Sequence, residues 1–171
     1  MILFYLNALS INGQEISKID ASPLDFALFQ PQEEQSTPVA RIIYSRPQTK
    51  GRTIFGELVP YGELWRTGAN QTTELNLFQG IILEGNKLDA GNYSLYTIPN
   101  ENEWTIIINS KVHTWGAYGY DASKDVLRFK VPALSVSDSR ENFGIAFDGQ
   151  KGKGKLLLAW EKTEVYINFK Y

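Results

Sequence analysis

At 171 residues, with 43% hydrophobic and 21% charged side chains, the chain is long and apolar enough to bury one sizeable core and reads as a single globular domain. Seventeen basic residues against nineteen acidic ones leave a formal charge of -2, which offers no electrostatic footprint for DNA, RNA or an anionic membrane. Cysteine is absent, so disulfides, thiolate catalysis and cysteine-ligated zinc are excluded, and an aromatic content of 13% suits side chains standing on pleated, half-buried surfaces.

The first element in the chain is Ile2 to Leu9, apolar enough for a secretory h-region, followed by the small residues of Ser10 to Gln14 where cleavage could fall. No basic segment precedes it. Residues 1–14 therefore read as a truncated signal peptide, with a first strand of the mature fold as the alternative. The run is too short for a transmembrane helix, which needs about 20 apolar residues. Residues 15–38 read as an N-terminal extension with one short helix. Ser22 would be its N-cap, Pro23 its first helical residue and Asp25 the acid three residues after the cap. It would stop near Phe29, ahead of Pro31 and the polar run Gln32 to Thr37.

From Val39 onward the pattern has period two. Arg41 to Tyr44, Thr73 to Phe78, Gly80 to Leu83, Tyr93 to Ile98, Trp104 to Asn109, Val126 to Val131, Phe143 to Phe147, Leu156 to Trp160 and Val165 to Phe169 are short runs rich in aliphatic and aromatic residues. Turn clusters such as Glu84-Gly85-Asn86, Asp89 to Asn92 and Asp121 to Lys124 separate them. No helical stretch of about ten residues intervenes to make parallel crossovers. Residues 39–171 are therefore expected to form one all-β domain, an antiparallel β-sandwich of jelly-roll or immunoglobulin-like arrangement. In the last two runs, read as a hairpin, Leu156, Leu158 and Trp160 and then Val165, Ile167 and Phe169 are expected to point inward.

The stretch from Gly56 to Asn70 breaks this pattern. Glycines at positions 56, 62 and 68 and a proline at 60 exclude a regular helix or long strand, so the segment reads as a loop that presents large polar-tipped side chains. Arg66 can make a bidentate contact with a carboxylate or phosphate, and Asn70 can both donate and accept. Tyr61 and Trp65, with Trp115 and Tyr118 from a second glycine-containing stretch, can stack on a sugar ring or another flat ligand. In the alternative, Trp65 plugs one end of the sandwich, Arg66 pairs with a buried acid such as Asp125 or Glu74, and Asn70 caps a turn.

Other motifs carry less chemistry. Gly149-x-x-x-x-Gly154-Lys155 starts like a phosphate-binding loop, but Leu156 stands where the magnesium-binding hydroxyl belongs and a strand follows, so it reads as a basic hairpin. His113 is the only histidine and cannot by itself make a metal site or a triad, and it is expected on a solvent-facing turn. The acidic residues are scattered, with no glycosidase pair and no calcium loop. No metal and no cofactor is expected.

Tyr44-Ser45-Arg46-Pro47, Leu58 to Gly62, Trp65-Arg66-Thr67-Gly68-Ala69-Asn70, Tyr93 to Pro99, Glu103-Trp104-Thr105 and Trp115-Gly116-Ala117-Tyr118 together resemble the bacterial domain-of-unknown-function family numbered twenty-nine eleven, over about Ala21 to Phe169. The resemblance implies a secreted or periplasmic bacterial protein with one domain after a signal peptide. It supplies no catalytic residues. The expected function is a non-catalytic module for a small polar molecule or glycan. A hydrolase using His113 with a carboxylate and a purely structural envelope protein are the alternatives.

Overall fold

The computed structural model describes residues 16–30 and 37–171, and all their regular structure is β apart from a single 3-10 turn at Ala122–Lys124. The strands are β1 (Leu24–Phe29), β2 (Ala40–Ser45), β3 (Thr73–Leu77), β4 (Ile81–Leu83), β5 (Asn86–Leu88), β6 (Gly91–Ile98), β7 (Glu103–Asn109), β8 (Asp125–Gln150) and β9 (Lys153–Lys170). They form one antiparallel nine-stranded sheet in the order β1-β2-β3-β6-β7-β8-β9-β4-β5. The leader at residues 1–14 lies outside the described residues.

The helix expected from Ser22 to Phe29 is replaced by β1. Six residues are too few for a stable helix, whereas as a strand all six find partners on β2, from Leu24↔Ser45 to Phe29↔Ala40. The local side-chain bond also comes from elsewhere, since the Ser22 amide donates to Asp20 Oδ1 at 2.7 Å. The stretch read as an extension thus supplies the edge of the sheet.

One long strand, β8, joins its halves. The runs expected as separate strands at Val126–Val131 and Phe143–Phe147 both belong to β8, which pairs with β7 up to Pro132 and with β9 from Ala133 onward. Likewise, the expected C-terminal hairpin is the single strand β9. Its inward set changes parity, from Leu156, Leu158 and Trp160 to Val165, Ile167 and Phe169, and every one of these side chains is buried. Between the two sets Glu161 adopts a left-handed φ of 52°, a bulge that turns the same face of the strand back to the core.

The core shows how the sheet curls. Phe29 of β1 packs edge-on against Phe169 of β9 at 4.9 Å and lies 5.6 Å from Phe147 of β8, although many places separate these strands in the sheet order. Further along, Phe55, Trp65, Trp104, Phe143 and Trp160 form one aromatic cluster with centroid spacings from 4.8 to 6.2 Å. The free edge of β8 is covered from the β2 side: the Phe143 amide donates to Pro47 O at 2.9 Å, and the Thr49 amide to Glu141 O at 2.8 Å. The buried Tyr44 hydroxyl accepts from the Ile145 amide at 3.0 Å and faces the Ile145 carbonyl at 3.2 Å, standing in for a missing backbone partner. A void of only about 10 Å³ lies within the apolar interior, far too small for a ligand.

Tyr96 and Ile107 point away from this core yet are fully buried, because the segment from Ser110 to Lys124 straps across the outer face of β6 and β7. Tyr96 stacks edge-on with Tyr120 at 5.1 Å and its hydroxyl meets Thr114 Oγ1 at 2.9 Å. Asn109, wholly buried, donates to Asp121 O and Asp125 Oδ1 and accepts from the Lys111 amide. The strap carries His113, Trp115 and Tyr118.

Candidate functional site

The Trp65–Asn70 segment is built on an anchored indole. Trp65 pairs in both directions with Thr97 of β6, its ring is sunk in the aromatic cluster, and its Nε1 donates to Gly68 O at 3.0 Å. That bond closes a tight turn. Thr67, a β-branched residue, is held at a φ of 59°, a strained conformation that its hydroxyl contacts with Trp65 O and Thr97 Oγ1 and the Thr73 hydroxyl bond to Thr67 O hold in place. Gly68 is required because a Cβ there would sit 3.1 Å from Ser45 O. Asn70 follows in the left-handed region at 57°.

The strap docks onto this turn. Gln71 bridges Trp115, the Gly116 amide donates to Asn70 O at 2.9 Å, and the Thr72 hydroxyl donates to Gly116 O at 2.7 Å. The result is an open cleft of about 430 Å³ between the approach to β1, the end of β2, the Asn70–Thr72 segment and Trp115. Asp20, Asn70, Gln71 and Glu74 give it polar groups, and Leu24, Ile43 and the Trp115 ring give it apolar walls. The indole of Trp115 is 59% exposed. Asn70 Nδ2 donates to Asp20 Oδ1 at 3.0 Å, and the Ser22 amide, followed by this amide, holds the Asp20 carboxyl below its usual range. Glu74 Oε1 accepts from the His113 amide at 3.2 Å and lies 2.9 Å from His113 Nδ1.

Arg66 pairs with neither of the acids expected for it. Glu74 is taken by His113, and Asp125 by Asn109, Tyr120 and Arg128. Among the described residues no carboxylate forms an ion pair with Arg66, and its Nε is shut off from solvent without a hydrogen-bond partner. Burial pushes the guanidinium pKa down, and the Tyr118 phenol opposes that shift. Tyr118 itself is 93% exposed.

Of the residues singled out in the sequence, Asn70 and Trp115 thus meet at the cleft, Arg66 belongs to the same turn as Asn70 and Tyr118 to the same strap as Trp115, and Trp65 supports the turn from within. Tyr61 belongs elsewhere: its ring lies by Gly56, and burial together with Glu101 and Glu161 raises its pKa. Asp20, Gln71 and Glu74 are the cleft residues that sequence reasoning did not place there. Nothing local marks them, since Asp20 reaches the cleft only through strand pairing. The Gly149–Lys155 stretch is the β8–β9 hairpin, with Gly149 directly opposite Gly154. Among the described residues no cluster of His, Asp and Glu is arranged to hold a metal, and no helix is long and apolar enough to cross a membrane.

Fold and surface together define an all-β domain on one antiparallel sheet, with a filled interior and its exposed chemistry carried by loops at the rim. The family described as protein of unknown function (DUF2911) matches residues 30–169, and the chain belongs to it, as the motifs from Tyr44 to Tyr118 had implied. No curated protein and no solved structure matches the chain.

Proposed function

We propose that this chain is an exported, non-catalytic binding module that holds a small polar molecule or glycan in the Trp115 cleft, with the curled sheet acting as a sandwich-like scaffold. The observation that carries the reading is a largely exposed Trp115 at the wall of an open cleft that combines apolar walls with amide and carboxylate groups. A sugar ring offers an apolar C–H face for the indole and hydroxyls for Asn70, Gln71 and Glu74, so both kinds of wall have a use. Among the described residues the apolar interior holds a void of only about 10 Å³, so the reading rests on the surface cleft.

Glycan-array screening followed by titration of Trp115→Ala tests it. The variant should lose affinity by at least about tenfold, equivalent to about 1.4 kcal/mol, with its unfolding unchanged, because Trp115 lies outside the core. Retention of full glycan affinity by the variant, or no glycan bound by wild type, would sink the reading. Export rests on the apolar run Ile2 to Leu9, and N-terminal sequencing of protein from the native host, showing the run still attached, would refute it.

The His113–Glu74 pair favours a second reading, hydrolysis, in which Glu74 orients the imidazole and His113 activates water. Among the described residues no side-chain hydroxyl bonds the other ring nitrogen, so no protein nucleophile is in place. Turnover of chromogenic glycosides or esters that disappears in His113→Ala would establish this reading in place of the first.

A further inference from the structure

The outer face of β1 is apolar. Phe29 of this strand is buried and Ala27 packs against the core, so alternation sets Leu24, Phe26 and Leu28 together on the opposite face. They are 65%, 61% and 42% exposed. Register places Phe26 beside Ile43 of β2, which also points outward and is only partly covered. Leu28 lies opposite Arg41, whose Nε is drawn the other way, to Asn76 of β3, at 3.1 Å. On β8, by contrast, the exposed Val126 is followed on its face by Arg128 and Lys130, the usual reading of a solvated strand face. Three exposed apolar side chains in line on an edge strand, with no charge among them, mark a surface that gains by being covered.

This row runs into the cleft. Leu24 is its first residue and, with Ile43 and Trp115, also lines the cleft of about 430 Å³. The polar groups Asp20, Asn70, Gln71 and Glu74 are gathered in the cleft, and from Leu24 to Leu28 the surface continues as hydrocarbon alone on β1. Four steps along a strand give this track a length of about 14 Å, at a width of about one strand. A specific protein partner, or a second copy of this chain, needs roughly 20–30 residues a side, far more than three side chains offer. One hydrocarbon chain fits the track. We propose that the ligand of the cleft is an amphiphile, a saccharide head that packs on Trp115 and carries an alkyl or acyl chain laid along Leu24, Phe26 and Leu28. This rests on the saccharide reading of the cleft and adds the ligand's apolar part and its direction.

Calorimetric titration with methyl, butyl and octyl glucoside, the last below its micelle concentration, tests it, with 1-octanol as a chain lacking the head. Affinity should rise with chain length, by at least about tenfold from methyl to octyl, as methylene groups leave water. Phe26→Thr, which keeps a strand-forming residue, should remove most of that rise and leave the affinity for methyl glucoside unchanged. Leu28→Thr, farther along the track, should weaken octyl glucoside and spare butyl glucoside. Trp115→Ala should weaken all three. Equal affinity for methyl and octyl glucoside overturns the track and leaves the cleft reading standing. Octanol bound as tightly as octyl glucoside, with no effect of Trp115→Ala, shows a bare apolar patch and overturns the joined site. Failure of all three glucosides to bind overturns the inference, while a hit on the glycan array would still preserve the cleft. A concentration-dependent dimer in sedimentation that Phe26→Thr abolishes assigns the face to a second copy and overturns the amphiphile. Melts of each variant separate loss of binding from loss of fold.

Discussion

Trp65, Trp115 and Trp160 have the same side chain and three different duties, and burial decides among them. Trp160 is 2% exposed, lies 5.9 Å from both Trp65 and Phe143, and donates to Glu141 O at 3.2 Å. Trp160→Ala should therefore cost about 3–5 kcal/mol in denaturant melts, the range for emptying a fully packed aromatic site. A loss under about 1 kcal/mol would mean that the ring is not held in the cluster. The alternation in Leu156–Trp160 made its inward direction legible. Trp65 and Trp115 were not separable in that way. Both sit among glycines, and Trp65 is drawn inward by its pairing with Thr97, a contact across more than thirty positions that no local pattern announces. Arg66 is the converse case: its guanidinium suggested a buried acid partner, but the two nearest candidates by sequence reasoning had already been claimed by His113 and by Tyr120 with Arg128.

Most strands were legible because their inward residues alternate, as in Arg41 to Tyr44 and Tyr93 to Ile98. Where one strand ended and another began was harder to read. Bulges within β8 and the turn of phase at Glu161 in β9 look like breaks in a one-dimensional pattern, since each interrupts alternation without ending the strand. β1 was misread for another reason: Ser22-Pro23 is good helix-start chemistry, and only the neighbour supplied by β2 outweighs it. Closure of β8 against the β2 side depends on Tyr44, whose hydroxyl meets both polar groups of the Ile145 backbone. Tyr44→Phe should leave those groups unsatisfied and cost about 1–3 kcal/mol. Amide exchange at Ile145 should accelerate by more than at Leu158, on the far side of the pair. Equal acceleration at both would show a global effect and not a local opening of this edge.

Across the whole molecule, several carboxylates stand below their usual pKa range for identifiable reasons: Asp20 by the Ser22 amide, Asp121 by the Ser123 hydroxyl, Glu141 by the Thr49 hydroxyl and Glu164 by Arg140. Each folded-state value lies below the unfolded one, so the stability they contribute is present above about pH 4 and is lost as pH falls through the folded values. Urea melts should accordingly give nearly constant stability from about pH 7 to pH 5 and a decline below about pH 4. Glu164→Gln should make that decline shallower. A stability that rises between pH 5 and pH 3 would contradict the assignment.

β8 crosses from one half of the sheet to the other without interruption, pairing with β7 up to Pro132 and with β9 from Ala133 onward. Neither half owns its boundary strand, so tearing one away removes the hydrogen-bonding edge and part of the aromatic cluster on which its neighbour stands. Within the described residues β8 thus leaves no seam at which a protease, a recombination event or a partial melt could take one half of the sheet and spare the other, and the cleft at its rim is only as durable as the sheet that carries it.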